Sequence, residues 1–153
     1  FLYREVSNLT SLRIKDYISE LLTYIEDSNE KDSVSIILQQ SIDDVELDID
    51  TVVPLGLIIN ELVTNAYKYA FAGRSSGMIR VSFTRQPDTN GYLLRVADDG
   101  IGMQQELTLQ KSRSFGYRMI RAFTEKLEGK LTFNIENGTV VSLFIPAIKT
   151  EEQ

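Results

Sequence analysis

Between positions 54 and 71 apolar residues recur every three to four places. Leu55, Ile58, Ile59, Leu62, Ala66 and Tyr69 fall on one side of a 3.6-residue helix, the pattern of a helix laid on a core. Glu61, Asn65 and Lys68, spaced i, i+4, i+7, form a polar strip along the edge of that stripe. Upstream, Leu12, Tyr17, Ile18, Leu21, Leu22 and Ile25 predict a second amphipathic helix over about 11–26, stopped by the polar run 27–33. Residues 34–38 predict a buried strand and 45–49 a second short one. Asp50 or Thr51 is expected to cap the central helix, Pro54 to sit in its first turn where a missing N–H is tolerated, and Gly73 to end it.

After Gly77 the period changes from 3.6 to 2. Ile79, Val81 and Phe83 alternate with Arg80, Ser82 and Thr84, then Tyr92, Leu94 and Val96 with Leu93, Arg95 and Ala97, which predicts two half-buried strands. The loop between them closes on Asn90-Gly91, a pair suited to positive φ. A glycine-containing loop follows Asp98, and a helix is expected over 114–128 with Met119, Ile120, Phe123 and Leu127 as its apolar stripe and Gly129 past its end. Two last strands, 131–135 and 140–145, flank Asn137-Gly138, read as a two-residue hairpin turn.

Composition narrows the chemistry. The 153 residues suffice for one domain with a sizeable core. Cysteine and histidine are both absent, which excludes disulfides, thiol or imidazole catalysis and Cys- or His-ligated metal within these residues. The net charge of −6 and the absence of any basic run argue against a nucleic-acid surface. No apolar run approaches the ~20 residues that span a bilayer, and no signal-peptide pattern opens the chain, so a cytoplasmic domain is expected. Opening on Phe1, the sequence reads as part of a longer protein, whose preceding portion is expected to hold any membrane or sensor segment.

Three short stretches carry candidate chemistry. Asp98-Asp99-Gly100-Ile101-Gly102 stands at a strand end, where glycines let a backbone approach a ligand and Asp98 can accept from an exocyclic amine, a preference for adenine over guanine. A plain Gly-rich turn gives the same letters. Ser114-Phe115-Gly116-Tyr117 opens a helix whose free N–H groups suit phosphate, or it is simply a capped helix. Glu61, Asn65 and Lys68 supply the complement, an amide oxygen for Mg²⁺, an ammonium for phosphate and a carboxylate for a proton, or else form an ordinary solvated face.

Taken in order, NELVTNAYKY, DDGIG, SFGYRMI and NGTVVSLFIP resemble the N box and three glycine boxes of the GHKL superfamily of ATP-binding domains, which includes histidine kinases, DNA gyrase, MutL and heat-shock chaperones. The likeness covers about residues 48–146, and PLGLIINELVTNAYKYAF is most similar to the HWE-like branch of the histidine kinases. It implies an α/β sandwich of Bergerat type, a mixed sheet with helices on one face. By the same resemblance Asn65 holds Mg²⁺, Lys68 contacts phosphate, Glu61 polarises the attacking nucleophile and Asp98 reads the adenine amine. Gly100 and Gly102 line the base pocket, Ser114 and Gly116 lie by the phosphates, Thr139 supports the base, and Tyr69 belongs to the nucleotide-contacting set. The third motif has one glycine where many relatives have more, and the stretch from Gly102 to Ser114 is short for an ATP lid. The implied activity is transfer of the γ-phosphoryl group of Mg-ATP to a histidine upstream of Phe1, in a protein that dimerises through preceding helices and serves a response regulator. Residues 1–30 are then the end of the dimerisation region with a connecting helix, 31–148 the catalytic domain and 149–153 a tail. Alternatives are a GHKL ATPase, an anti-sigma-type serine kinase and a degenerate regulatory module.

Overall fold

The computed structural model describes residues 10–30, 33–102 and 115–146. Strand β1 (Ser11–Arg13) leads directly into helix α1 (Ile14–Ser28), followed by β2 (Ser35–Ile42), β3 (Glu46–Asp48) and the long helix α2 (Ile49–Tyr69). Then come β4 (Ser76–Gln86), β5 (Gly91–Asp98), α3 (Phe115–Lys126), β6 (Lys130–Ile135) and β7 (Thr139–Ile145). Five strands form one mixed sheet in the order β2-β4-β5-β7-β6, with β2 parallel to β4 and all other neighbours antiparallel. The helices share one face of this sheet, giving two layers around one core.

Helix α2 is the centre of that core. Eleven of its residues are buried, among them Leu55, Ile58, Ile59, Leu62 and Ala66 from the predicted stripe. Fully burying each large aliphatic side chain contributes ~1.5–3 kcal/mol. The stripe is wider than expected and ends differently: Val52, Val63 and Tyr67 are buried, whereas Tyr69 is 49% exposed. With one side on α1 and another on the sheet, the helix needs more than a single apolar line. The same burial explains why α2 is long and apolar enough to cross a membrane by length and composition. Its cap is Asp48, whose carboxylate accepts from the Asp50 N–H at 3.3 Å, so the helix starts earlier than Asp50 or Thr51 would set it. Pro54 consequently lies inside the helix rather than in its first turn.

Helix α1 buries Ile14, Ile18, Leu21, Leu22 and Ile25 against the same cluster. Helices α1 and α2 thus share one core. Strand β1, unpredicted, pairs antiparallel with β3 in a small second sheet. Three residues have too short a period to announce a strand. The turn between β6 and β7 holds three residues rather than two, because Ile135 pairs with Thr139. The expected tail lies outside the described residues.

Among the described residues two buried hydroxyls, those of Tyr67 and Thr124, have no partner. The Tyr67 hydroxyl is buried without a hydrogen bond, and its pKa is pushed up to about 12 by burial first and the Glu26 charge second. An unsatisfied buried hydroxyl costs ~1–3 kcal/mol. Tyr67→Phe is expected to raise stability by about 1 kcal/mol, read as a higher urea midpoint at unchanged slope. A lower midpoint would mean that the hydroxyl is satisfied in solution.

Candidate functional site

The site forms where the C-terminal end of α2 meets the loop after β5. That loop leaves the sheet at Asp98 and is clamped by the helix: the Ile101 N–H donates to the Ala70 carbonyl at 2.8 Å. A Cβ on Gly100 would be driven into that same carbonyl, so only glycine lets the loop lie this close.

Asp98 sits at the bottom, 8% exposed. Its Oδ1 accepts from the Gly100 N–H at 2.9 Å and from the Thr139 N–H at 3.3 Å, while Oδ2 has no bond among the described residues. One oxygen is thus spent on holding the carboxylate and the other is unspent. Burial raises the Asp98 pKa above its ordinary value, the two N–H bonds pull it back, the Asp99 charge raises it further and Arg74 opposes. Thr139 fixes the far side of the loop, its hydroxyl donating to the Gly102 carbonyl at 3.0 Å.

Three residues that the sequence reading left without a role position this loop. Asp99 points away from Asp98 and accepts the Met78 N–H at 2.9 Å, tying the loop to the start of β4. The Arg74 guanidinium donates to the Asp99 carbonyl at 2.6 Å. Ala70 supplies the carbonyl described above. None had a local signal, because each acts through backbone that only the folded chain brings near.

The strip on α2 forms the second wall. Glu61 and Asn65 are half-buried, one turn apart, and neither side chain has a hydrogen bond among the described residues. Gly116, in the first turn of α3, packs directly on the Glu61 carboxylate, which a Cβ there would have to push aside. Sequence positions 61 and 116 are thereby brought together, and the first turn of α3 lies against α2. Lys68 is exposed and borders a hollow of about 270 Å³ that also meets Tyr67, Phe71 and Arg74. Tyr69 is exposed at the end of the same helix. Ser114 and the short stretch read as a lid lie outside the described residues.

The donor set fits a hard cation of the Mg²⁺ kind in one respect. Two unspent oxygen-bearing side chains stand one turn apart, and among the described residues no cluster of three or more acidic or histidine ligands exists. Mg²⁺ characteristically takes few protein ligands and completes its shell with phosphate oxygens and water.

Comparison with known proteins accords with this geometry. The profile of the family described as histidine kinase-, DNA gyrase B-, and HSP90-like ATPase matches residues 50–149. Blue-light-activated histidine kinase 2 of Erythrobacter litoralis (strain HTCC2594) is 27% identical over 133 residues, covering 85% of this chain and 37% of that protein. Sensor histidine kinase PdtaS of Mycobacterium tuberculosis is 34% identical over 104 residues, 65% of this chain and 20% of that one. The chain thus spans well under half of these curated relatives. Among solved structures, the histidine kinase domain of the Erythrobacter litoralis EL346 blue-light activated histidine kinase superposes with a TM-score of 0.81 at 23% identity, over 89% of this chain and 62% of that one. The mycobacterial sensor histidine kinase MprB gives 0.69 at 18% identity, over 89% and 95%. These likenesses show the two-layer fold, and the profile match over most of the chain shows the family: this chain belongs to the histidine kinase-, DNA gyrase B- and HSP90-like ATPases, the ATP-binding domains of GHKL type.

Proposed function

We propose that this chain is the Mg-ATP-binding catalytic domain of a sensor histidine kinase, and that it delivers the γ-phosphoryl group to a histidine carried on another segment. The observation that carries this reading is the Asp98 carboxylate, buried, locked through one oxygen by Gly100 and Thr139 and, among the described residues, unspent at the other. An adenine amine is the donor such an oxygen lacks. Gly102 and Thr139 complete the base end. Asn65, with phosphate oxygens and water, holds Mg²⁺, which when bound neutralises charge on the phosphates. Glu61 orients and polarises the nucleophile, Lys68 approaches phosphate from the open side, and Ser114, Gly116 and Tyr69 border the phosphate end.

Since the chain contains no histidine, the phosphoacceptor belongs to a segment outside these 153 residues. We place that acceptor on helices through which the whole protein pairs with a second copy, with a response regulator as the onward recipient and the catalytic domain in the cytoplasm. Transfer is governed mainly by positioning, because phosphoryl transfer leaves the protein little covalent work.

The test separates binding from chemistry. Asn65→Ala is expected to abolish the Mg²⁺ dependence of ATP binding, followed by thermal shift with and without the metal. Glu61→Gln should keep binding within about threefold yet lower phosphoryl transfer to an added acceptor segment by ~10²-fold or more. If both variants lose binding and unfold together, the strip is only a structural face of α2. Sustained ATP hydrolysis without any acceptor would instead favour the ATPase reading.

A further inference from the structure

The face of the sheet turned away from the helices has a charge pattern of its own. Its outward positions follow from the strand register: Gln39 lies beside Arg80, Arg80 beside Ala97 and Ala97 beside Val140, with Ser41, Ser82, Arg95 and Ser142 forming the next row. No outward position of the five strands is acidic, although the chain holds 22 acidic residues against 16 basic ones. Arg80 and Arg95 are diagonal neighbours on adjacent strands, both exposed, and neither forms an ion pair among the described residues. Two like charges so close, with neutral partners across the strands, repel each other and bring no gain to folding. Arg80 has one weak internal contact, from its Nε to the Met78 sulfur at 3.3 Å.

Between them Ala97 is too small to fill the surface. Two hollows of about 300 and 220 Å³ result, both bordered by Arg80, Arg95 and Ala97; the larger runs to the sheet end and also meets Asp98, Asp99 and Glu136, so the smaller is the one that suits an anion. The smaller is lined by guanidinium, hydroxyl and amide donors and by no carboxylate. Partly exposed Met78, Leu93 and Phe144 stand around the pair, with Ile37 at 54% exposure on the edge strand.

We infer that this outer sheet face docks an acidic, amphipathic polypeptide segment of a partner domain or protein, its carboxylates received by Arg80 and Arg95 and its apolar residues by the surrounding side chains. Guanidinium donors match carboxylates in geometry as well as charge. A polynucleotide fits less well, since the chain as a whole is negative and the face offers too few cations to follow a phosphate backbone. The inference does not use the kinase reading: neither arginine has a role in it, although the larger hollow also reaches Asp98.

The test uses a fluorescein-labelled eight-residue peptide of alternating glutamate and valine, titrated with the chain at low salt and followed by anisotropy. Saturable binding is expected, weakened at least tenfold in the double variant Arg80→Gln, Arg95→Gln and lost when alanine replaces glutamate in the peptide. The double variant should keep the parent's melting temperature and its response to ATP. Failure of the parent to bind, or equal binding by the variant, overturns the inference. So does equal, arginine-dependent binding of a single-stranded oligonucleotide of the same charge, which would reduce the face to a general anion surface.

Discussion

Asp98→Asn is expected to abolish measurable ATP binding while leaving the fold at least as stable as the parent. The amide keeps an oxygen for the Gly100 and Thr139 N–H groups, so the loop stays in place. At the unspent position it presents N–H instead of a carboxylate oxygen, and a donor then faces the donor of adenine. Losing a hydrogen bond to a charged group and burying an unmatched donor together amount to ~3 kcal/mol, or about 10²-fold in affinity. Stability moves the other way for a reason of sign. Asp98 has its folded-state pKa raised, so its ionised form is disfavoured by folding at neutral pH. That cost is present above the folded pKa and is relieved as the pH falls through it. Asparagine removes it at every pH. Adenine, by contrast, prefers the ionised carboxylate, so the parent's affinity for ATP should begin to fall on acidification above the ordinary carboxylate range. Calorimetric titration across pH checks both, and a variant that binds ATP like the parent would refute the role given to Asp98.

Gly138→Ala is expected to be the most destabilising single-methyl change in the molecule. Gly138 has φ +128, outside the range that L side chains adopt readily, and a Cβ there would be driven into the Asp98 carbonyl. Strain and clash together should lower stability by ~2–4 kcal/mol. Gly73→Ala is the control. At φ +78 it shares the positive dihedral but meets nothing within 4 Å, so it bears the backbone penalty alone, about 1 kcal/mol. Comparable urea midpoints for the two variants would show that the turn relaxes away from Asp98. On the proposed reading the larger loss should also carry a loss of ATP response, because the turn leads straight into Thr139, whose N–H holds the Asp98 carboxylate.

What could be read in the sequence followed the range of the interactions. Helix α2 and the alternation in β4 and β5 were visible, since periodicity is a local consequence of burial, whereas the mixed sheet with helices on one face was implied only by the resemblance of the motifs to a known family. Tyr69 was misread as core because one apolar line was assumed where α2 packs on two surfaces, which bury Val63 and Tyr67 as well. The three-residue turn before Thr139 escaped because Asn-Gly fits more than one loop length, and only the pairing of Ile135 with Thr139 decides between them. At the site, Asp98, Gly100 and Thr139 were picked out by motif. Their joining through one carboxylate oxygen, and the bracing by Ala70, Arg74 and Asp99, depend on backbone atoms that every residue possesses, so no letter in the sequence marks them.

The interposition of β7 between β5 and β6 has a consequence for how the protein is made. A ribosome that has finished β5 has produced Asp98 but not the Thr139 amide that holds it, which lies 41 residues further along. Until then β5 presents an unpaired edge, open to pairing with another nascent chain. On the proposed reading, competence to recognise the base therefore waits for closure of the sheet, and a chain stopped short of β7 should be both blind to nucleotide and prone to aggregate. In the cell, nucleotide capture would then report that synthesis has run through β7, and an adenine nucleotide present during translation would stabilise only chains completed that far.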